Sequence, residues 1–522
     1  MVATLVEVAL WTTGVVLAVV AYELLRASLL RGARIRLEHS VSRYLARHRV
    51  KLDRFKFTHK HYIREALLND PDLGGFIADR AAEEGEGTEA LRLRAESYIE
   101  EIVPYFSLVS YYKLGFGVAK PVLRLLYDVV RVHDNLHDAA ESAAEEDAVV
   151  FVMNHRSNAD YVLFAYVMSR EVALSYAVGE WARVWPLETL FKSFGSYFVR
   201  RGEKDPLYHA VLSRYLQLVT RGGLTQGIFI EGGLSRDGHL RPPKVGLLDS
   251  LLQVVSDPGF TGDVRFVPVG LNFDRVLEDV NLLGEKKGKA EAPRAVDKVR
   301  SLGFLAKMLP RLALHRLRRM AKGAWRLAKK RRWTFGVAAV HAGPTLGMRE
   351  FFGDDVAAIA ELPRKERRDH LLRFAEVLME RIGGEVPLTS VPLFVTALED
   401  TGALEVDRPV DRKLVLAAIR ARLEQARAAR VPVMLGPEFQ ELSGQRDAID
   451  QGVRRGGLLD FEKDFIGNEE ASGVYELATT ILAHRRALIL GPASVEVRPS
   501  GRELLRYYSR SVAQHFENDA TD

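Results

Sequence analysis

The sequence predicts an α/β fold, a layered domain on a mostly parallel mixed sheet with a helical region on either side. Three observations carry this. Between residues 148 and 345 short β-rich runs alternate with helical stretches, the rhythm of strand–helix–strand units. On both sides of that block apolar residues recur at helical spacing. The chain has 522 residues, 47% hydrophobic and 27% charged, enough for about three to four domains' worth of folded chain. This balance excludes wholesale disorder and a polytopic membrane protein. The absence of cysteine excludes a disulfide scaffold, a cysteine nucleophile, a zinc–thiolate site and a cysteine-ligated iron–sulfur cluster.

At the start, residues 8–22 carry no charge, and the apolar stretch reaches 4–25 if Glu7 sits at the interface. A bilayer span needs about 20 such residues. Arg26, Arg31, Arg34 and Arg36 follow, and positive residues after a span hold that side in the cytoplasm. Residues 1–30 are therefore expected to form a membrane helix, with the bulk of the chain on the cytoplasmic face. A helix lying in the interface and a buried soluble helix are the alternatives. No basic residue precedes the run and no clear A-x-A site follows it, which argues against a secretory signal.

Residues 31–147 read as helical, with turns at Asp70-Pro71-Asp72 and Gly85-Glu86-Gly87. The strongly apolar stretch 102–130, which includes Lys113, Lys120 and Arg124, fits a buried helix pair or a membrane-surface segment.

The expected strands of the α/β domain, 148–345, are 148–153, 172–178, 195–200, 227–230 and 264–269. A further run at 333–340 rejoins the sheet after an insertion at 284–332. Residues 286–332 hold 17 Lys or Arg against Glu291 and Asp297, leaving a net of −10 on the remainder of the +5 chain. Leu305, Met308, Leu309, Leu312 and Leu317 fall near one helical face of this insertion. A basic amphipathic helix suits an anionic membrane surface or an acidic partner, and a plain solvated face is the bland reading. Nucleic acid is disfavoured, because only Trp325 and Trp333 are near for stacking. Residues 346–522 read as helical again, with loops at Gly383-Gly384 and Gly456-Gly457.

The chemistry concentrates at strand ends. Asn154-His155-Arg156-Ser157-Asn158-Ala159-Asp160 follows the first strand and opens a helix, where α/β folds place their sites. On one straight helix His155 and Asp160 would diverge. With a bend at the strand end, Asp160 reaches back to one ring nitrogen and leaves the other basic and facing outward. Ser157 or Asn158 caps the turn. This is the base-and-orienter half of a triad, and no protein nucleophile is needed if a substrate hydroxyl attacks. A structural histidine is the competing reading. An imidazole far from Asp160, or buried away from any cleft, would contradict catalysis.

Three further blocks follow. In Gly195-Ser196-Tyr197-Phe198-Val199-Arg200-Arg201-Gly202 a strand ends in two arginines able to fork onto phosphate oxygens, or simply solvated. In 227–238, Glu231-Gly232-Gly233 follows an apolar strand and precedes Leu234-Ser235-Arg236. The glycines would let amides approach an anion, while Arg236, Ser235 and Lys244 add donors; an ordinary glycine turn is the alternative. Val267-Pro268-Val269-Gly270 closes the set as a strand end.

These four blocks, in this order and spacing, resemble the glycerol-3-phosphate acyltransferase family of membrane-associated acyltransferases. The resemblance extends to Tyr62-Ile63-Arg64-Glu65-Ala66-Leu67-Leu68, Gly284-Glu285-Lys286-Lys287 and Leu504-Leu505-Arg506-Tyr507-Tyr508-Ser509-Arg510-Ser511, and covers most of 55–516. It implies an acyltransferase α/β domain in which His155 is the general base and Asp160 its orienter. It further implies that Arg200, Arg201, Glu231, Gly232, Gly233, Ser235, Arg236 and Lys244 bind the substrate and that Pro268 serves the acyl-donor or structural side. The implied reaction moves a long-chain acyl group from acyl-CoA or acyl carrier protein to the sn-1 hydroxyl of glycerol 3-phosphate at a phospholipid surface, without metal or redox cofactor and without nucleic acid. Dihydroxyacetone phosphate or a lysophospholipid as acceptor, and a non-catalytic membrane scaffold, are the rival readings. One departure bears on the acceptor: Leu234 stands where the family usually has arginine, and Arg236, Arg241 or Lys244 would have to compensate.

Overall fold

The computed structural model describes residues 60–104, 123, 127, 129–132, 146–168, 175–179, 191–192, 195–200, 202–286, 335–435 and 468–516. The expected membrane helix at 1–30, most of the apolar stretch 102–130, the insertion beyond Lys286, Gly456-Gly457 and Arg201 lie outside the described residues. No helix among the described residues is long and apolar enough to cross a membrane.

The chain begins with helices α1 (Lys60–Leu68), α2 (Pro71–Glu84) and α3 (Thr88–Ile102). Both turns expected between them form. The Asp70 carboxylate caps α2 by accepting the Leu73 amide at 2.8 Å, with Pro71 in the first turn, where its missing N–H costs nothing. Gly85 ends α2 at φ 68°, a left-handed conformation suited to glycine. The structure corrects the helical reading of 31–147 at its end, where Val129–Val132 forms strand β1.

Then come β2 (Ala148–Met153), α4 (Ala159–Met168), β3 (Ser175–Gly179), β4 (Tyr197–Val199) and α5 (Pro206–Arg221). They are followed by β5 (Gln226–Phe229), α6 (Gly246–Val255), β6 (Val264–Phe273), α7 (Asp279–Lys286), β7 (Val337–Ala342) and β8 (Leu346–Gly347). These strands make one eight-stranded sheet in the order β1-β7-β6-β2-β5-β3-β4, with β8 also pairing β6. The β2–β5, β2–β6, β3–β4, β3–β5 and β1–β7 pairs are parallel, while β6 runs antiparallel to β7 and β8. The expected mostly parallel mixed sheet is present.

Strand β2 is central and buried throughout, as the unbroken apolar run Ala-Val-Val-Phe-Val-Met requires. Its side chains alternate. Ala148, Val150 and Val152 enter a core with α6 and α10 (Arg364–Glu385). Val149, Phe151 and Met153 enter the larger core on the other face, with α4 and the C-terminal helices α11 (Ser390–Asp400), α12 (Arg412–Ala428), α13 (Asn468–His484) and α14 (Arg502–Arg510). A third core joins α1, α2 and α3 to α5.

Two further corrections fall in the C-terminal region. Helix α10 runs through Gly383-Gly384 instead of breaking there; Gly383 is buried in packing that outweighs glycine's weak helix propensity. Val410–Asp411, Leu488–Leu490 and Ser494–Val497 form a small antiparallel sheet, so the region is not purely helical. Two of its strands, of two and three residues, are too short to show alternation, and Ser-Val-Glu-Val at 494–497 alternates over only four residues.

Candidate active site

His155 lies two residues beyond the end of β2, and three contacts set its backbone. The Asn154 side chain exchanges two hydrogen bonds with the Leu271 backbone, Nδ2 to its carbonyl at 2.9 Å and its amide to Oδ1 at 2.8 Å, so it continues the ladder to β6. The His155 amide donates to Glu231 Oε1 at 2.9 Å. The His155 carbonyl accepts from the Ser235 amide at 3.0 Å.

The bend expected between strand and helix brings His155 and Asp160 together. Nδ1 of the imidazole is 2.9 Å from Asp160 Oδ2. The same oxygen accepts the Arg156 amide at 2.7 Å and the Ser157 amide at 3.0 Å. Ser157 is the cap: its hydroxyl accepts the Ala159 amide at 3.1 Å and donates to Glu278 Oε2 at 2.7 Å. Glu278, which the sequence reading did not single out, also accepts the Asn158 amide at 3.2 Å. Nothing in the sequence marks this long-range partner.

The ring itself is boxed. Phe229, at the end of β5, stacks on it with centroids 4.2 Å apart, and Tyr161 meets it edge-on at 5.4 Å. Here the structure corrects an expectation: Nε2 does not face outward, so of the two outcomes named above the enclosed ring counts against catalysis and the pairing with Asp160 counts for it. His155 is 1% exposed, and Nε2 is buried without a hydrogen-bond partner. Asp160 Oδ1 is likewise buried and unpartnered. In the tautomer whose Nδ1–H donates to Asp160, Nε2 carries the lone pair that a general base needs.

The residues expected to bind substrate divide sharply. Glu231 is buried, and both its oxygens are committed to backbone amides, Oε1 to His155 and Oε2 to Arg241 at 3.0 Å. Burial pushes its carboxyl up, opposed by the Arg156 guanidinium and by these two amides. It positions the histidine rather than presenting a carboxylate to a ligand. Ser235 is also committed, its hydroxyl donating to the His239 carbonyl at 2.7 Å and accepting the Gly238 amide at 3.1 Å. Gly232 adopts φ 65° and its amide donates to the Phe229 carbonyl at 2.9 Å; a Cβ there would lie 2.9 Å from Lys244 Cγ. That amide makes a turn instead of facing an anion. Gly233 is buried beside it, while Arg236 and Lys244 are exposed on the same loop.

Arg200 ends β4, three strands from β2 in the sheet. Its Nε and Nη2 bind Glu101 at 2.8 and 2.6 Å, and Nη1 binds Glu203 at 2.8 Å. These pairs raise its pKa, and it packs against the rings of Tyr98 and Tyr208. In this structure Arg200 is an ion-pair anchor joining α3 to the sheet, not an open phosphate fork. Pro268 is buried in β6 opposite Val152, where the partner on its other side changes from β8 to β7. A residue without an N–H fits that gap, which supports the structural role. Among the described residues no cluster of three or more His, Asp or Glu is placed to hold a metal.

Arg156, which the sequence did not single out, is fully buried. Its Nη1 donates to the Gly238 carbonyl and its Nη2 to the Ser511 carbonyl at 2.9 Å.

A buried histidine–aspartate pair at the end of a central parallel strand is an arrangement able to take a proton from a substrate hydroxyl. Residues 130–272 match the family described as Acyltransferase, so this layer is an acyltransferase domain. Within that class the chain is similar to several proteins named glycerol-3-phosphate acyltransferase. It is 28% identical to the glycerol-3-phosphate acyltransferase of Aeromonas hydrophila over 351 residues, covering 66% of this chain and 40% of that protein. It is 32% identical to that of Glaesserella parasuis over 253 residues, 45% and 30% of the two chains. It is 30% identical to that of Actinobacillus succinogenes over 274 residues, 50% and 33%. The chain thus spans 40% or less of the length of these curated relatives. Among solved structures it is similar to the 1-acyl-sn-glycerophosphate acyltransferase of Thermotoga maritima, at 15% identity and a TM-score of 0.28 over 62% of this chain and 97% of that one, a likeness too distant to carry an argument.

Proposed function

We propose that this protein transfers a long-chain acyl group from a thioester, on coenzyme A or acyl carrier protein, to the sn-1 hydroxyl of glycerol 3-phosphate. The observation that carries the proposal is the Asp160-held imidazole with its unpartnered Nε2, inside an acyltransferase domain. The acceptor hydroxyl approaches Nε2, which takes its proton as the oxygen attacks the thioester carbonyl. Amides near the site steady the resulting oxyanion. The carbon–sulfur bond then breaks, the imidazolium returns the proton to the thiolate, and a lysophosphatidic acid and a free thiol remain. Asp160 stabilises the transient imidazolium throughout. Because the ring is closed off in this structure, the side chains around it must part as substrate enters. The amphiphilic product gives the enzyme reason to work at a membrane surface, and we assign the apolar N-terminus and the basic insertion to that contact, on the cytoplasmic face.

The test is thiol release from palmitoyl-CoA with and without glycerol 3-phosphate, and with dihydroxyacetone phosphate and a lysophospholipid as competing acceptors. Release should depend on glycerol 3-phosphate, and His155→Ala should abolish it, a loss of at least about 100-fold, without unfolding. A folded, active His155→Ala protein removes the base; acceptor-independent or absent release removes the transferase.

A further inference from the structure

The loop after β5 contains Arg241, one of the three cations able to compensate for Leu234. Arg241 is half-buried. Its backbone amide occupies Glu231 Oε2, whose other oxygen holds the His155 amide. The two amides are therefore separated by one carboxylate and two hydrogen bonds. A second connection runs through the Leu234–Ser235 peptide: its N–H donates to the His155 carbonyl at 3.0 Å, and its carbonyl accepts Nη1 of Arg241 at 3.3 Å. Both backbone groups of the histidine thus lead to the same arginine.

Among the described residues that long contact to one carbonyl is the only hydrogen bond of this guanidinium, and none of their carboxylates pairs with it. A carbonyl orients a guanidinium but does not neutralise it. A partly desolvated cation in this condition is unfavourable unless an anion arrives. The neighbouring cations differ. Arg156 is fully buried, with Nη1 and Nη2 on carbonyls and Nε unpartnered; Arg200 is held by two carboxylates; Lys244 and Arg236 are exposed. Arg241 alone among these combines partial burial, unspent donors and a short covalent and hydrogen-bonded path to His155. A planar fork matches the oxygens of a phosphate or a carboxylate, and a phosphate dianion brings the greater charge.

We propose that Arg241 binds the phosphate of the acceptor, holding the three-carbon chain so that its free hydroxyl meets His155. This rests on acyl transfer to glycerol 3-phosphate. The experiment compares wild type, Arg241→Gln and Arg241→Lys in the full chain, with glycerol 3-phosphate and with glycerol as acceptors. Both variants keep the backbone amide that Glu231 needs. Arg241→Gln should raise KM for glycerol 3-phosphate by about 10–100-fold, the effect of losing a charge-assisted contact, with little change in kcat. KM for palmitoyl-CoA and turnover of glycerol should not move, competitive inhibition by inorganic phosphate should weaken in parallel, and Arg241→Lys should recover part of the loss. An unchanged KM for glycerol 3-phosphate overturns the assignment. So does a raised KM for palmitoyl-CoA, which would place a donor phosphate on Arg241, or an equal loss with both acceptors, which would mark a merely structural role. A wild-type protein with no acceptor-dependent thiol release instead removes the acyl-transfer reading on which the assignment rests.

Discussion

Glu231 decides where the imidazole sits without touching it. A glutamine there can accept from one amide but sets an N–H against the other, so Glu231→Gln should cost about 1–3 kcal/mol and lower kcat through a displaced His155. The carboxyl also has a pH signature. Burial raises its folded pKa above the unfolded value, so the folded protein holds that proton more tightly. Its contribution to stability is fully present below the ordinary carboxylate pKa and is lost as pH rises through the raised one. The gap in Tm between wild type and Glu231→Gln should therefore narrow as pH rises through that window. A gap that widens would mean that the two amides and Arg156 outweigh burial and stabilise the ionised form.

Among elements, the C-terminal helix α14 is tied to segments that adjoin the site. Tyr508 donates to Asp279 Oδ2 at 3.0 Å and accepts the Val276 amide at 3.2 Å, tying α14 to the segment that follows β6. Arg156 joins the turn after α14 to the loop at Gly238. Gly238 has φ 100°, and a Cβ there would strike the Tyr507 carbonyl, so loop and helix are in direct contact. Arg156→Met removes two hydrogen bonds from a charged donor, each worth about 1.5–3 kcal/mol. The variant should melt earlier and be cleaved by protease first within 234–239 or after residue 510. A variant as stable as wild type would show that the helix docks by apolar packing alone. Arg156 stands inside the His155 block, yet its partner is the Ser511 carbonyl, 355 positions away, and no local pattern reveals such a contact.

For the whole molecule, the proposed membrane contact makes a quantitative expectation. Full-length protein should co-float with vesicles containing anionic phospholipid. If the insertion contributes, binding should weaken with added salt, by about 1 kcal/mol for each basic residue neutralised near the surface. Replacing Lys329, Lys330, Arg331 and Arg332 with glutamine should reduce flotation on anionic vesicles and leave neutral vesicles unaffected. Salt-independent binding would assign the contact to apolar insertion instead.

The sequence by itself determined the α/β layer and the pairing of His155 with Asp160. Both are written locally, the first in apolar runs such as 148–153 and the second in a short spacing beside a strand end. It also marked the turns at Asp70 and Gly85, because proline, glycine and capping carboxylates act within a few bonds. Only the tertiary structure decided that β1 joins the sheet beside β7, that α10 continues through Gly383, and that the ring of His155 is enclosed by Phe229 and Tyr161. It also decided that Glu231, Ser235 and Arg200 are fully engaged within the protein while Arg241 is not. Whether a charged side chain faces a ligand or a neighbour depends on groups brought together from distant parts of the chain, and those meet only when the layers pack.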